Sequence, residues 1–177
     1  MLPYVFVVLA LGLRFATKPI AFTSVTAALL FFGARGSRKM VWLPWVLAVA
    51  SDIALNRYYS YPITWDLGVT WAFYAAVLGA GMLLRNTANP LRIGGTALAS
   101  SLSFFVISNF AVWASYRTLY AATWQGLVNC YVAAIPFYRN TLVADLVFTA
   151  VFFSIPILLH GSDRSLEPAP EWARKRR

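Results

Sequence analysis

Six apolar runs constrain this chain more than any other feature of its sequence. They cover about residues 2–16, 20–34, 40–56, 65–84, 93–115 and 140–159. About 20 apolar residues are needed for a helix to cross roughly 30 Å of hydrocarbon; most of the runs approach this length, although the first two are short. Because backbone polar groups in lipid must bond within their own segment, the sequence predicts an all-α integral membrane protein with a six-transmembrane-helix bundle.

One further segment, residues 119–137, is only moderately apolar. It contains Gln125 and Asn129 and reaches Pro136 near its end. Cytoplasmic loops carry an excess of Lys and Arg. Six spans with both termini in the cytoplasm place ten of the fifteen basic residues inside, a clearer excess than seven spans give. We therefore expect this segment to form an extra interfacial helix on the outer side, before the last span.

The charged residues indicate how the chain meets its surroundings. Hydrophobic residues make up 60% of the chain and charged residues 12%, with a formal net charge of +9. The basic residues are scattered between apolar runs, which favours anionic membrane lipids rather than nucleic acid as their partner. From Gly161 onward the sequence turns polar and basic. We expect residues 1–160 to form the transmembrane domain, in a bacterial cytoplasmic membrane, and residues 161–177 to form a basic cytoplasmic tail.

The residue types needed for most catalytic chemistry are scarce. Cys130 is the only cysteine and His160 the only histidine, so the sequence predicts no metal site, no bound cofactor and no Ser-His-Asp catalysis. There is also no phosphate-binding loop of the kind that ATPases carry. We expect the protein not to be an enzyme; an enzyme acting on lipid is the remote alternative.

Three carboxylates lie in or at the ends of apolar runs: Asp52, Asp66 and Asp145. A charged carboxylate in the middle of a transmembrane helix costs about 2.5–3.5 kcal/mol on insertion scales, so each one needs a partner. The predicted topology places all three toward the outer side, where basic residues are also available. Buried ion pairs that fix helix register are one interpretation, and a polar binding site is the other.

Residues 101–116 carry a stripe at helical spacing, with Ser101, Phe105, Asn109 and Trp113 at every fourth position and Tyr116 close by. Aromatic residues are concentrated toward the same predicted outer side, whereas an interfacial belt normally marks both faces. Stacking surfaces beside a few polar groups suit a pocket for a small planar or polar solute, with extra interfacial anchoring as the alternative. The candidate substrate-binding residues are Asp52, Asn56, Asp66, Asn109, Trp113, Tyr116, Arg139, Asn140 and Asp145.

Four segments carry a family resemblance: TAALLFFGARGSRKM, VLAVASDIAL, SFFVISNFAVWAS and YVAAIPFYRNTLVADLVFTAVFF. They resemble an uncharacterised family of bacterial membrane proteins described as transport proteins and similar to the substrate-binding (S) components of energy-coupling factor transporters. The resemblance covers residues 26–153. It implies a compact S-component-like bundle that binds a vitamin-like solute at its outer side.

The resemblance also implies partners, namely a transmembrane coupling subunit and ATPases that drive release of the solute inward. We therefore expect a membrane-embedded small-solute binding protein, the substrate-binding component of an energy-coupled uptake transporter. The alternative is a structural or accessory subunit of a larger membrane complex. The sequence leaves open the identity of the solute, the coupling partner and the oligomeric state.

Overall fold

A computed structural model of the chain describes residues 1–17, 24–61, 63–87 and 89–165. Within these ranges the protein is helical and contains no strand. The α-helices are α1 (Leu2–Thr17), α2 (Val25–Arg35), α3 (Trp42–Tyr58), α4 (Trp65–Leu83), α5 (Pro90–Ser115) and α6 (Trp124–Ser165), and a 3-10 turn at Arg38–Met40 precedes α3. The all-α prediction is confirmed for this part of the chain.

Helix length decides which of these helices can cross a membrane alone. Three are long and apolar enough: α4, α5 and the Trp124–Pro156 part of α6. The helices α1 and α2 are apolar but shorter. The described residues therefore show an all-helical protein with membrane-like helices, and the count of six complete spans stays a prediction.

The extra interfacial helix is not a separate element. Residues 124–137 form the first third of α6, which runs without a break through Pro136 into the predicted last span. A proline removes one backbone hydrogen bond and bends a helix, yet neighbouring helices and local adjustments make it tolerable within an apolar bundle. Pro136 was therefore a weaker stop signal than the sequence suggested. The helix also continues to Ser165, and the rest of the predicted tail lies outside the described residues.

The shortest α-helix, α2, is the centre of the bundle. Nine of its eleven residues are buried, and it contacts each of the other five α-helices. At about 1.5 Å per residue, its described length is roughly half of what a perpendicular span requires. Its apolar composition therefore reflects burial in protein on all sides rather than contact with lipid.

Two glycines allow α2 and α4 to cross closely. A Cβ atom at Gly33 would lie 2.9 Å from the Cα of Gly81, and a Cβ at Gly81 would lie 3.0 Å from the Cα of Gly33 and would overlap the carbonyl oxygen of Leu30. Small residues at such crossings let helix backbones approach and pack by dispersion, which is the main attraction available in lipid. This crossing fixes α4 against the central helix.

Consecutive α-helices run in opposite directions, so the bundle has two ends. At the first, which we call the Arg35 end, the guanidinium of Arg35 donates to the carbonyls of Arg85 and Thr87, 2.9 Å away in each case. At the other, the Tyr116 end, the hydroxyl oxygens of Tyr116 and Thr64 lie 3.2 Å apart. Both contacts join parts of the chain that are distant in sequence, so each end of the bundle is stabilised by a polar contact.

The outer surface of the bundle is apolar. Every described α-helix except α2 turns large apolar side chains outward, among them Val8, Ile53, Leu83, Leu102 and Val147. Soluble monomers rarely expose contiguous apolar patches above a few hundred Å². The surface therefore fits a lipid environment, in agreement with the predicted membrane association.

Candidate functional site

The carboxylate of Asp52 lies at a fully paired polar centre between α1, α3 and α4. Its side chain is 1% exposed and forms an ion pair with Arg14. The indole nitrogen of Trp71 donates to the second oxygen at 3.0 Å, and the hydroxyl of Tyr74 lies 3.4 Å from the first. Arg14 also donates to Ser51 at 3.1 Å. These contacts satisfy the carboxylate and tie three helices together, which fits the ion-pair interpretation of Asp52 rather than a ligand site.

Asn56, the next candidate along α3, bonds to its own helix. Its side-chain nitrogen donates to the backbone carbonyl of Asp52 at 2.9 Å. Asp66 is in the first turn of α4, where a carboxylate interacts favourably with the helix dipole, and it accepts a hydrogen bond from Thr64. Thr64 in turn contacts Tyr116. The structure thus brings Asp66 and Tyr116 together, at the Tyr116 end and apart from Asp52.

A groove of about 240 Å³ lies between α5 and α6. The groove is lined by Phe104, Phe105, Ser108, Asn109, Ala134, Phe137, Tyr138 and Thr141. The rings of Phe105 and Tyr138 stack with centroids 4.3 Å apart, and Asn109 donates to the carbonyl of Phe105 at 2.7 Å. Aromatic faces beside an amide are the combination expected for a small planar solute. Of the nine candidate residues, Asn109 alone lines this groove.

Three other candidate residues, Trp113, Arg139 and Asn140, lie on α5 and α6 but do not line this groove. The indole nitrogen of Trp113 donates to the carbonyl of Ala121 at 2.9 Å, and the guanidinium of Arg117 lies 4.7 Å from the Trp113 ring centre. This arrangement joins α5 to the connection that precedes α6. Arg139 and Asn140 are exposed on α6. The expected convergence of all candidates in one outer pocket is therefore not what the structure shows.

Asp145 occupies a second polar centre, deep between α2, α5 and α6. Its side chain is 1% exposed. The hydroxyls of Ser101 and Thr26 lie beside the carboxylate and interact with it, but in the part of the chain that the structure describes neither carboxylate oxygen has a hydrogen bond of normal geometry. The buried hydroxyls of Ser101 and Thr149 also lack a partner there. Asp145 is as deeply buried as Asp52, but its carboxylate oxygens have no hydrogen bond of normal geometry among the described residues.

Several residues of these sites were missing from the candidates. Tyr138 and Thr149 lie seven residues before and four residues after Asp145, on the same face of α6. Extending the helical spacing from Asp145 would have found them. Trp71 and Tyr74 carried no comparable signal, because nothing in the sequence shows that α4 turns them toward Asp52.

The described residues form an all-helical protein with an apolar outer surface and three helices long and apolar enough to cross a membrane. These features define the class: a membrane-associated helical bundle. Within this class, the chain belongs to a family described as a family of unknown function (DUF6580), whose model matches residues 1–167. No curated protein matches the chain. No solved structure matches it either.

Proposed function

We propose that this protein is a membrane-embedded binding protein for a small solute, which it holds in the groove between α5 and α6. The observation that carries the proposal is the joint presence of stacked rings and an amide in one groove, at Phe105, Tyr138 and Asn109. Ligand sites combine apolar and aromatic walls with a few polar groups, and this groove has both.

The dimensions of the groove favour a compact ligand. Pockets for drug-sized molecules usually enclose about 300–1,000 Å³, and this groove has about 240 Å³. No basic or acidic side chain lines it among the described residues. A small, planar and uncharged solute is the chemistry that these walls suit, because it would stack on the rings and bond to the amide.

The role in uptake rests on the resemblance to substrate-binding components of energy-coupled transporters. In that role the protein binds the solute, and a separate coupling subunit with ATPases releases it inward. The outward face of α4 suits contact with another membrane helix, since Gly68, Ala72, Ala76 and Gly79 are all exposed. The same face fits the alternative role of an accessory subunit, and recovery of stoichiometric partners without ATPases in mild detergent would favour that alternative.

Two asparagines provide a matched test of solute binding. Asn109 and Asn56 each donate to the backbone carbonyl four residues earlier, but only Asn109 lines the groove. We expect mass spectrometry of the purified wild-type protein to detect a bound small molecule. Asn109→Ala should reduce its amount roughly tenfold, because losing a hydrogen bond of about 1.4 kcal/mol corresponds to that factor.

Asn56→Ala is the control and should retain the solute at the wild-type level. Tyr138→Ala, which removes one stacked ring, should reduce it as Asn109→Ala does. A wild-type protein without any bound molecule, or equal retention by the Asn109 and Asn56 variants, would show that the groove is not the binding site.

A further inference from the structure

The two buried carboxylates of the bundle differ in one respect that calls for a ligand. Asp52 receives a guanidinium and two further donors. Asp145 has the same 1% exposure, but only the hydroxyls of Ser101 and Thr26 lie beside it, and neither carboxylate oxygen has a hydrogen bond of normal geometry among the described residues. Leaving a buried carboxylate uncompensated is costly, and buried charges in proteins are paired or coordinate a metal ion. No basic side chain among the described residues pairs with the Asp145 carboxylate.

The hydroxyls of Ser101 and Thr26 lie beside Asp145, and that of Thr149 belongs to the residue one helical turn further along α6. Ser101 comes from α5, Thr26 from α2, and Thr149 follows Asp145 by one turn on the same face of α6. The hydroxyls of Ser101 and Thr149 are buried and, like the carboxylate, have no hydrogen-bond partner in the part of the chain described. Carboxylate and hydroxyl oxygens are ligands for hard cations.

The one negative charge of Asp145 favours a monovalent cation over a divalent cation. Sites for Ca²⁺ and Mg²⁺ usually combine several oxygen ligands with more than one negative group. Here Asp145 is the single carboxylate, and the described residues contain no group of three or more His, Cys, Asp or Glu that could hold a metal ion. One negative charge is balanced by one positive charge. A proton would also balance it, and a Tm that responds to pH but not to sodium would identify that case.

A second groove lies one helical turn from Asp145 along α6. It has about 220 Å³ and lies between the start of α5 and the second half of α6, where Thr149 forms part of its wall together with Ile93, Gly94 and Phe153. Thr149 therefore lines this groove and lies one helical turn from Asp145. We expect an ion to enter through this groove from the Arg35 end.

We propose that Asp145, Ser101, Thr149 and Thr26 form a binding site for a monovalent hard cation, with sodium as the ion to test. The carboxylate supplies the charge, and the three hydroxyls supply neutral oxygen ligands from α2, α5 and α6. Because its ligands come from three helices, a bound ion would hold the central helix against the α5–α6 pair. Bound sodium should therefore stabilise the folded bundle.

The test uses the purified full-length protein in detergent, with sodium chloride replaced by choline chloride at constant ionic strength. We expect Tm to rise with sodium concentration and to saturate, and the protein to bind radioactive sodium directly. Ser101→Ala and Thr149→Ala should each raise the half-saturating sodium concentration about tenfold, the order expected when a metal site loses a supporting group. Asp145→Asn should abolish the response.

Ser100→Ala is the matched control. Ser100 is also buried on α5, but its hydroxyl is not among the unpartnered buried atoms, so this variant should respond to sodium as the wild type does. If Asp145→Asn does not fold, the two hydroxyl variants and direct sodium binding by the wild type decide the question. A Tm independent of sodium, or a Tm that depends on pH alone, would overturn the proposal, the latter by assigning the site to a proton. Solute retention in the α5–α6 groove is measured separately, so either proposal can fail without the other.

Discussion

The close crossing of α2 and α4 gives a quantitative prediction, because the chain contains its own control. Gly81 lies at the crossing, and an added Cβ would meet backbone atoms of Leu30 and Gly33. Gly79 lies on the same helix, and no atom comes within 4 Å of the Cβ it would carry. Both changes to alanine gain helix propensity, about 1 kcal/mol each. Only Gly81→Ala must also force two backbones apart.

The difference between the two variants therefore isolates the packing cost. Inserting a methyl group into a well-packed site costs about 1–3 kcal/mol, and the cost is toward the upper end when the obstacle is backbone rather than a movable side chain. For a chain of this length, 1 kcal/mol corresponds to about 2–4 °C in Tm. We expect Gly79→Ala to melt at or above the wild-type temperature, and Gly81→Ala to melt several degrees below Gly79→Ala.

Cys130 provides the assay. It is the only cysteine of the chain and is buried in the folded protein. A thiol-reactive fluorescent dye will therefore report unfolding as the thiol becomes exposed on heating in detergent. Gly33→Ala, which perturbs the crossing from the side of α2, should resemble Gly81→Ala. Equal Tm values for the Gly79 and Gly81 variants would refute the close crossing.

Two further predictions use the same dye assay. Asp52→Asn should destabilise the protein by about 3–5 kcal/mol, because it leaves the guanidinium of Arg14 without its counter-charge. Adding Arg14→Met to this variant should restore much of the lost stability. If the two changes instead give additive losses of stability, the pairing is contradicted. Asn89→Ala should cost about 1 kcal/mol because Asn89 caps α5 by accepting hydrogen bonds from two backbone nitrogens. Asn86→Ala, a change at an exposed residue before the helix, is the control, and an equal loss there would argue against the cap.

The sequence predicted where the helices begin and end better than it predicted what surrounds each helix. Apolar runs located α3, α4 and α5 to within a few residues, because each helix presents an apolar surface to its surroundings. Hydropathy cannot tell whether those surroundings are lipid or protein. For this reason the sequence did not show that α2 is surrounded by other helices. Pro136 misled for a related reason, since the cost of a helical proline depends on neighbours that the sequence does not show.

The sequence indicated which residues share a helix face, but not how these residues are arranged in space. The spacing of Ser101, Phe105 and Asn109 correctly indicated one face of α5, yet Phe105 and Asn109 turned out to line a groove and Ser101 a separate centre. Periodicity reports the residues that share a face, not the helix that the face meets. Arg14 is the clearest case, because its pairing with Asp52 depends on how α1 lies against α3.

The sequence alone could not distinguish the buried carboxylates Asp52 and Asp145, because they differ in the helices that surround them. Along α6, Tyr138 and Thr141 line the first groove between α5 and α6, and Asp145 follows one turn later. Thr149 lines the second groove, which lies toward the Arg35 end. Along α5, Asn109 and Ser101 occupy the matching levels. The sequence assigns Asp52 and Asp145 the same insertion cost. Asp52 offsets that cost with groups of its own chain. Asp145 has no hydrogen bond of normal geometry among the described residues, so Asp145 is the carboxylate whose burial points to a ligand.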